Sequence, residues 1–199
     1  EDPNAVFCVG CPSIDVIMNV DLSLSNDLFI KYKGVGSALD PSKPYIVVLQ
    51  HPVTTEYGAG FDQIAETLLA IKRLGIQTVW LWPNVDAGSD DISKGLRMFR
   101  ESNPDALIHF YRNFEVIDYA RLISNTCCLV GNSSSAIREG AFLGVPSVNI
   151  GTRQNGREHS DNVMFVDYKS DEIVRAINTQ VAHGRYRSST LFGDGGAGK

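Results

Sequence analysis

Residues 127–158 read CCLVGNSSSAIREGAFLGVPSVNIGTRQNGRE, which has the pattern of strand, polar turn, helix, strand and polar loop. Residues 127–130 are apolar and bounded by a glycine, as is typical of a buried strand. Residues 131–134 are small and polar, as at the start of many helices. Apolar residues at helical spacing predict a helix over 135–142, and a glycine and a proline end it before a second strand at 147–150.

The turn before this helix has the chemistry of an anion site. The first N–H groups of a helix have no partner within it, and the helix dipole places positive charge behind them. Because small residues let an anion approach, and Ser133 and Ser134 add hydroxyl donors, we expect a phosphate here. Glu139, one turn further on, is a candidate acceptor for ribose hydroxyls. A serine-rich helix cap with a solvated glutamate is the alternative interpretation.

Short apolar runs alternate with amphipathic helices along the rest of the chain. The predicted strands are 6–10, 45–50, 77–82, 106–110, 127–130, 147–150 and 164–166. The predicted helices are parts of 13–33, then 61–74, 90–100, 115–123, 135–142 and 171–181. This alternation predicts an α/β fold, with a parallel sheet and flanking helices, in one Rossmann-like domain over residues 1–199.

Polar residues follow most of the predicted strands at the point where each strand ends. They lie at residues 50–51, 83–84, 111–113, 131–134 and 151–153. Because ligands of such sheets bind at the carboxyl ends of the strands, we expect one ligand site along this edge.

The composition is that of an ordinary globular protein, with 43% hydrophobic and 21% charged residues. The net charge of −5 argues against a nucleic-acid partner, and no apolar run approaches the roughly 20 residues of a membrane span. The four cysteines are too few for a disulfide scaffold. Cys8 and Cys11 have a C-x-x-C spacing, but no second pair or nearby histidine completes a zinc site. We expect reduced thiols and a cytoplasmic location.

Several motifs together resemble the UDP-N-acetylglucosamine 2-epimerase family, most closely its hydrolysing branch in sialic and legionaminic acid synthesis. They occur in family order at 10–15 (GCPSID), 50–55 (QHPVTT), 83–89 (PNVDAGS), 131–134 (GNSS), 138–139 (RE), 144–146 (GVP), 151–158 (GTRQNGRE) and 192–195 (FGDG). The resemblance implies the C-terminal half of a two-domain, glycosyltransferase-B-like fold. It further implies that the N-terminal catalytic domain and the final helix are absent, and that the complete protein is a homodimer or homotetramer.

The resemblance also implies that UDP or UDP-N-acetylglucosamine is the ligand, and it assigns roles to individual residues. Ser133 and Ser134 would hold the diphosphate, and Glu139 would bind the ribose. The backbone of residues 112–114, around Asn113, would contact the uracil. Asn84 and Arg153 would add polar contacts to UDP, and His51 would reach the diphosphate or the sugar. His51 would stabilise the departing UDP or transfer a proton.

The reaction that the resemblance implies is elimination followed by addition, and it requires neither a metal nor a nicotinamide cofactor. A base removes the proton at sugar C2 while UDP leaves from C1, and water then adds to the resulting glycal. Three alternatives stay open: a non-hydrolysing 2-epimerase, a glycosyltransferase of the same architecture, and a non-catalytic nucleotide-sugar-binding module.

Overall fold

A computed structural model describes residues 2–25 and 27–198 of the chain and contains one seven-stranded sheet. The strands are β1 (Gly34–Gly36), β2 (Ile46–Leu49), β3 (Thr78–Leu81), β4 (Ile108–Tyr111), β5 (Cys128–Gly131), β6 (Ser147–Ile150) and β7 (Val163–Val166). Their order across the sheet is β1-β4-β3-β2-β5-β6-β7. Strands β2 to β7 run parallel to one another, and β1 pairs antiparallel with β4 at one edge. The predicted α/β fold with a parallel sheet is confirmed.

Eight α-helices connect or flank these strands. They are α1 (Pro12–Met18), α2 (Leu28–Lys31), α3 (Gly60–Leu74), α4 (Ser89–Ser102), α5 (Val116–Asn125), α6 (Ser134–Ile137), α7 (Glu139–Leu143) and α8 (Ser170–His183), all within the described residues. Short 3-10 turns occur at Pro3–Ala5 and Thr54–Glu56. In the described part of the chain, none of the helices combines the length and apolar character needed to cross a membrane.

The two faces of the sheet bury separate hydrophobic cores. On one face, α3, α4 and α8 contribute side chains such as Ile64, Leu96 and Ile177 to the same core as the fully buried Trp80 of β3. On the other face, Leu122 of α5 packs with residues of α2, α6 and the strands. Since both faces are covered, the central strands are predominantly apolar, as their sequences predicted. Burial on both faces leaves the strand ends as the place for polar side chains.

The strand predicted at residues 6–10 is wrong. Val6, Phe7 and Val9 are 61%, 78% and 61% exposed, and this segment pairs with no strand of the described residues. The position at the sheet edge beside β4 is instead occupied by Gly34–Gly36, which lies outside all of the predicted strands and helices. An apolar run becomes a strand only where a neighbouring strand offers hydrogen bonds, and sequence pattern alone does not show that partner.

The helix predicted over residues 135–142 is present but interrupted. It divides into α6 and α7 at Arg138, whose φ of −88° and ψ of −71° end one helix and begin the next. The apolar spacing that predicted one helix continues across the break, since Ile137 and Ala141 are both buried. Helical periodicity therefore located the element correctly but did not reveal its bend.

Candidate functional site

The carboxyl ends of the strands form a cleft of about 660 Å³ along one edge of the sheet. Of the seven side chains predicted to form a site, six line this cleft: His51 after β2, Asn84 after β3, Asn113 after β4, Ser133 and Ser134 after β5, and Arg153 after β6. They come from five separate segments, which the parallel topology brings to one edge. Glu139, the seventh, does not line the cleft.

His51 is held at the back of the cleft by a reciprocal contact with Asn132. The His51 N–H donates to Asn132 Oδ1 at 2.7 Å, and Asn132 Nδ2 donates to the His51 carbonyl at 2.8 Å. The Asn84 N–H approaches His51 Nδ1 at 3.3 Å, with Nδ1 as the acceptor. Because a neutral imidazole has one acceptor and one donor nitrogen, this contact makes Nε2 the nitrogen that carries the hydrogen.

The charge of His51 is set by its surroundings. Burial, together with the smaller effect of the positive charge of Arg153, lowers the pKa of His51 to about 4, although Asp86 opposes the shift. The side chain is only 5% exposed, which accounts for the size of the burial effect. His51 is therefore neutral near pH 7, with an N–H donor rather than a full positive charge.

The serine turn combines helix capping with free hydroxyl hydrogens. Ser133 is the N-cap of α6, and its Oγ accepts from the Ser135 N–H at 3.3 Å. Ser134 Oγ accepts from Arg138 Nη2 at 3.2 Å. In both serines the oxygen serves as an acceptor within the protein, so the hydroxyl hydrogen is free to be donated elsewhere. The turn thus offers two hydroxyl donors on the cleft wall.

Arg153 is fixed over this turn by the backbone of Asn132. Its Nη1 donates to the Asn132 carbonyl at 3.3 Å, and Gln154 Nε2 donates to the same carbonyl at 2.7 Å. Both side chains thereby tie the loop after β6 to the turn after β5. The guanidinium is half-buried, and it keeps hydrogen-bond donors that the protein does not use.

Glu139 lies one turn beyond the serines, at the start of α7. It is 8% exposed, and its Oε2 has no hydrogen-bond partner. Its effect on the cleft is visible at Tyr119, a lining residue. Burial, with a smaller contribution from the negative charge of Glu139, raises the pKa of Tyr119 to about 12, although a hydrogen bond with Ser135 opposes the rise. Glu139 thus acts electrostatically on a residue of the cleft wall without lining the cleft itself.

Sequence reasoning missed three residues that organise the site: Asn132, Gln154 and Tyr119. Asn132 and Gln154 are almost fully buried polar side chains beside strand ends. Both follow strands that the sequence predicts, so their positions after those strands could have identified them. Tyr119 lies in the middle of α5, and only the packing of that helix brings it to the cleft. No group of three or more potential metal ligands occurs among the described side chains.

Topology and cleft together define an α/β protein of the Rossmann-like, glycosyltransferase-B-like class. The chain belongs to the UDP-N-acetylglucosamine 2-epimerase family, whose model matches residues 1–199. A UDP-N,N'-diacetylbacillosamine 2-epimerase (hydrolyzing) of Legionella pneumophila is 33% identical over 98% of this chain and 50% of its own length. A UDP-N-acetylglucosamine 2-epimerase of Neisseria meningitidis is 29% identical over 96% of this chain and 48% of its own length.

Solved structures agree with this fold. The UDP-N-acetylglucosamine 2-epimerase of Methanocaldococcus jannaschii, in complex with UDP-GlcNAc and UDP, superposes with a TM-score of 0.71 at 12% sequence identity. That match covers 100% of this chain and 54% of the other. The chain therefore spans about half the length of the relatives that it matches.

Proposed function

We propose that this chain is the UDP-binding half of a hydrolysing UDP-N-acetylglucosamine 2-epimerase, which releases UDP and N-acetylmannosamine. The observation that carries the proposal is the convergence of six predicted ligand contacts on one cleft. Among the described residues that line it, two are arginines, three are serines and one is histidine, and none is acidic. A lining of cations and hydroxyl donors suits a diphosphate.

The positions of these residues suggest how UDP lies in the cleft. Ser133, Ser134 and Arg153 are grouped where β5 and β6 end, and they receive the diphosphate in this proposal. Asn113 follows β4, two strands away from β2, and receives the uracil. Glu139 takes the ribose hydroxyls in this proposal, because its buried carboxylate oxygen Oε2 is an acceptor without a donor.

In the proposed reaction, this half of the enzyme acts on the leaving group. Negative charge grows on the diphosphate as the C1–O bond breaks, and the Nε2–H of His51, the serine hydroxyls and Arg153 are positioned to stabilise it. The neutral state of His51 favours hydrogen-bond donation over transfer of a proton from a cationic imidazole. We place the base that removes the C2 proton in the half of the protein that this chain does not span.

The relatives favour the hydrolysing reaction. Besides the Legionella protein, a Campylobacter jejuni relative that is 26% identical is a GDP/UDP-N,N'-diacetylbacillosamine 2-epimerase (hydrolyzing). The GTRQNGRE motif at residues 151–158 favours the same branch through its resemblance to hydrolysing members of the family. The Neisseria relative is described without that qualifier, so the non-hydrolysing reaction is the second candidate.

The decisive experiment is proton NMR of the complete protein in D2O, first with UDP-N-acetylglucosamine and then with UDP-N,N'-diacetylbacillosamine. We expect UDP together with the free C2-epimerised amino sugar, carrying deuterium at C2. Formation of the epimerised UDP-sugar without net UDP release would assign the non-hydrolysing reaction instead. No change with either sugar would contradict the epimerase proposal and leave a glycosyltransferase or a binding module.

A further inference from the structure

Arg138 lies at the break between α6 and α7, with contacts to both neighbouring elements of the proposed UDP site. Its Nη2 donates to Ser134 Oγ at 3.2 Å, and its Nε is 3.8 Å from Glu139 Oε2. The helix bends at this residue, with ψ at −71° rather than the usual value of about −42°. One guanidinium thus stands between a candidate phosphate donor and a candidate ribose acceptor.

The contact with Glu139 is electrostatic without being a hydrogen bond. Neither Arg138 Nε nor Glu139 Oε2 has a hydrogen-bond partner, and the Glu139 side chain is only 10% exposed. A carboxylate that is removed from water without a counter-charge is destabilised. Among the described residues, Arg138 is the one cation within ion-pair distance of Glu139. Its charge therefore stabilises the buried carboxylate without forming a hydrogen bond to Oε2.

The contact with Ser134 has a related effect. Because the hydroxyl oxygen accepts from Arg138, its own hydrogen points away from the guanidinium. Ser134 lines the cleft, so that hydrogen is available to an anion there. The same arginine thus orients a donor for one part of the nucleotide and an acceptor for another.

We propose that Arg138 is a positioning residue, which acts through Glu139 and secondarily through Ser134 to couple the ribose and diphosphate parts of the UDP site. This inference rests on the proposed function. The inference goes beyond the proposed function because it gives a role to Arg138, a side chain that does not line the cleft. If Arg138 and Glu139 formed only an isolated surface ion pair, that pair would contribute little to UDP binding. Its loss would affect ligands with and without ribose hydroxyls equally.

The test compares Arg138→Met and Arg138→Lys by calorimetric titration of the full chain with UDP and with 2',3'-dideoxy-UDP, which lacks both ribose hydroxyls. We expect Arg138→Met to weaken UDP binding by about tenfold or more, and Arg138→Lys to restore most of it. With the dideoxy ligand, the loss in Arg138→Met should shrink to about threefold or less, since only the effect through Ser134 persists. Equal losses for both ligands would overturn the proposal.

Arg175→Met, which changes an exposed arginine of α8, is the matched control. This variant should bind both ligands as the unsubstituted chain does.

A ligand-free measurement separates this inference from the proposed function. The unfolding midpoints of Arg138→Met, Glu139→Gln and the double variant form a double-mutant cycle. We expect Glu139→Gln to lower the unfolding midpoint less in the Arg138→Met background than in the unsubstituted chain, because the arginine that stabilises the carboxylate is already missing there. Additive shifts would overturn the positioning role even if UDP binds. Absence of UDP binding in the unsubstituted chain, together with a non-additive cycle, would contradict the UDP proposal while retaining the Arg138–Glu139 coupling.

Discussion

His51 and Asn132 form a closed pair of hydrogen bonds that joins the ends of β2 and β5. The His51 N–H donates to Asn132 Oδ1 at 2.7 Å, and Asn132 Nδ2 donates to the His51 carbonyl at 2.8 Å. The side chain of Asn132 thus extends the pairing of the two strands beyond their last residues, Leu49 and Gly131. The imidazole and the serine turn are positioned by the same residue, because the turn begins directly after Asn132.

Replacing Asn132 with alanine removes both bonds and leaves the buried N–H and carbonyl of His51 without these partners. We expect a loss of about 3 kcal/mol in the free energy of unfolding, measured by chemical denaturation, with weaker UDP binding. Asn155→Ala is the control, since Asn155 is exposed in the neighbouring loop, and it should change stability by less than about 0.5 kcal/mol. Equal stability of the two variants would show that the pair contributes nothing.

His51 should give the protein a stability that depends on pH. Its folded pKa of about 4, lowered mainly by burial, lies below the ordinary value of 6.5. Between these values the unfolded chain takes up a proton that the folded chain does not, so stability is lost as the pH falls from 6.5 to 4. The loss is on the order of 3 kcal/mol and is complete below pH 4.

The measurement for this prediction is the free energy of unfolding between pH 4 and pH 7 for the unsubstituted chain and for His51→Gln. We expect the slope over this range to flatten in the variant. His183→Gln, at an exposed position of α8, serves as the comparison and should retain the slope. A slope that persists in His51→Gln would assign the acid sensitivity to other groups.

Asp118 anchors α5, the helix that brings Tyr119 to the cleft. Hydrogen bonds from Lys31 and Tyr32, at 2.6 and 2.7 Å, lower the pKa of the Asp118 carboxyl to about 2, and Arg121 adds to the effect. A lowered folded pKa means that this stabilisation is present above about pH 4 and is lost as the pH falls toward 2. Asp118→Asn should therefore lower stability at pH 7 by about 2 kcal/mol and weaken the acid dependence below pH 4.

Glu115 provides the control for this prediction because it pairs with the same lysine. Its Oε2 is 3.3 Å from Lys31 Nζ, but its side chain is 75% exposed, compared with 6% for Asp118. Exposed ion pairs contribute little to stability, so Glu115→Gln should lower the free energy of unfolding by less than about 0.5 kcal/mol, measured by chemical denaturation. Similar losses in the two variants would mean that burial does not decide the strength of these contacts.

The sequence predicted the sheet and the edge that carries the cleft because both follow from local pattern. The strand β6 lies where the apolar run at 147–150 placed it, and β5 is shifted by one residue. Once parallel strands are recognised, their carboxyl ends meet at one edge whatever their order. That rule brought His51 and Arg153, which are about 100 positions apart in the sequence, to the same cleft.

The features that were missed depend on contacts between distant segments. Two of the three residues of the edge strand Gly34–Gly36 are glycines, which have weak strand preference, and the strand forms because β4 offers a free edge. Arg138 interrupts a helix whose apolar spacing is regular, and its two polar contacts exist only in the folded turn. Tyr119 reaches the cleft through the packing of α5. None of these can be read from spacing along the chain.

The prediction closest to function concerns Glu139, whose buried Oε2 has no hydrogen-bond partner. If this oxygen accepts from the ribose hydroxyls, Glu139→Ala should weaken UDP binding by about tenfold or more, because a charged acceptor is lost. Binding of 2',3'-dideoxy-UDP should be nearly unaffected by the same substitution. Calorimetric titration of both ligands provides the measurement, with Glu101→Ala, at an exposed position of α4, as the control. Unchanged UDP affinity in Glu139→Ala would remove the ribose assignment, and the unpartnered oxygen would then need another explanation.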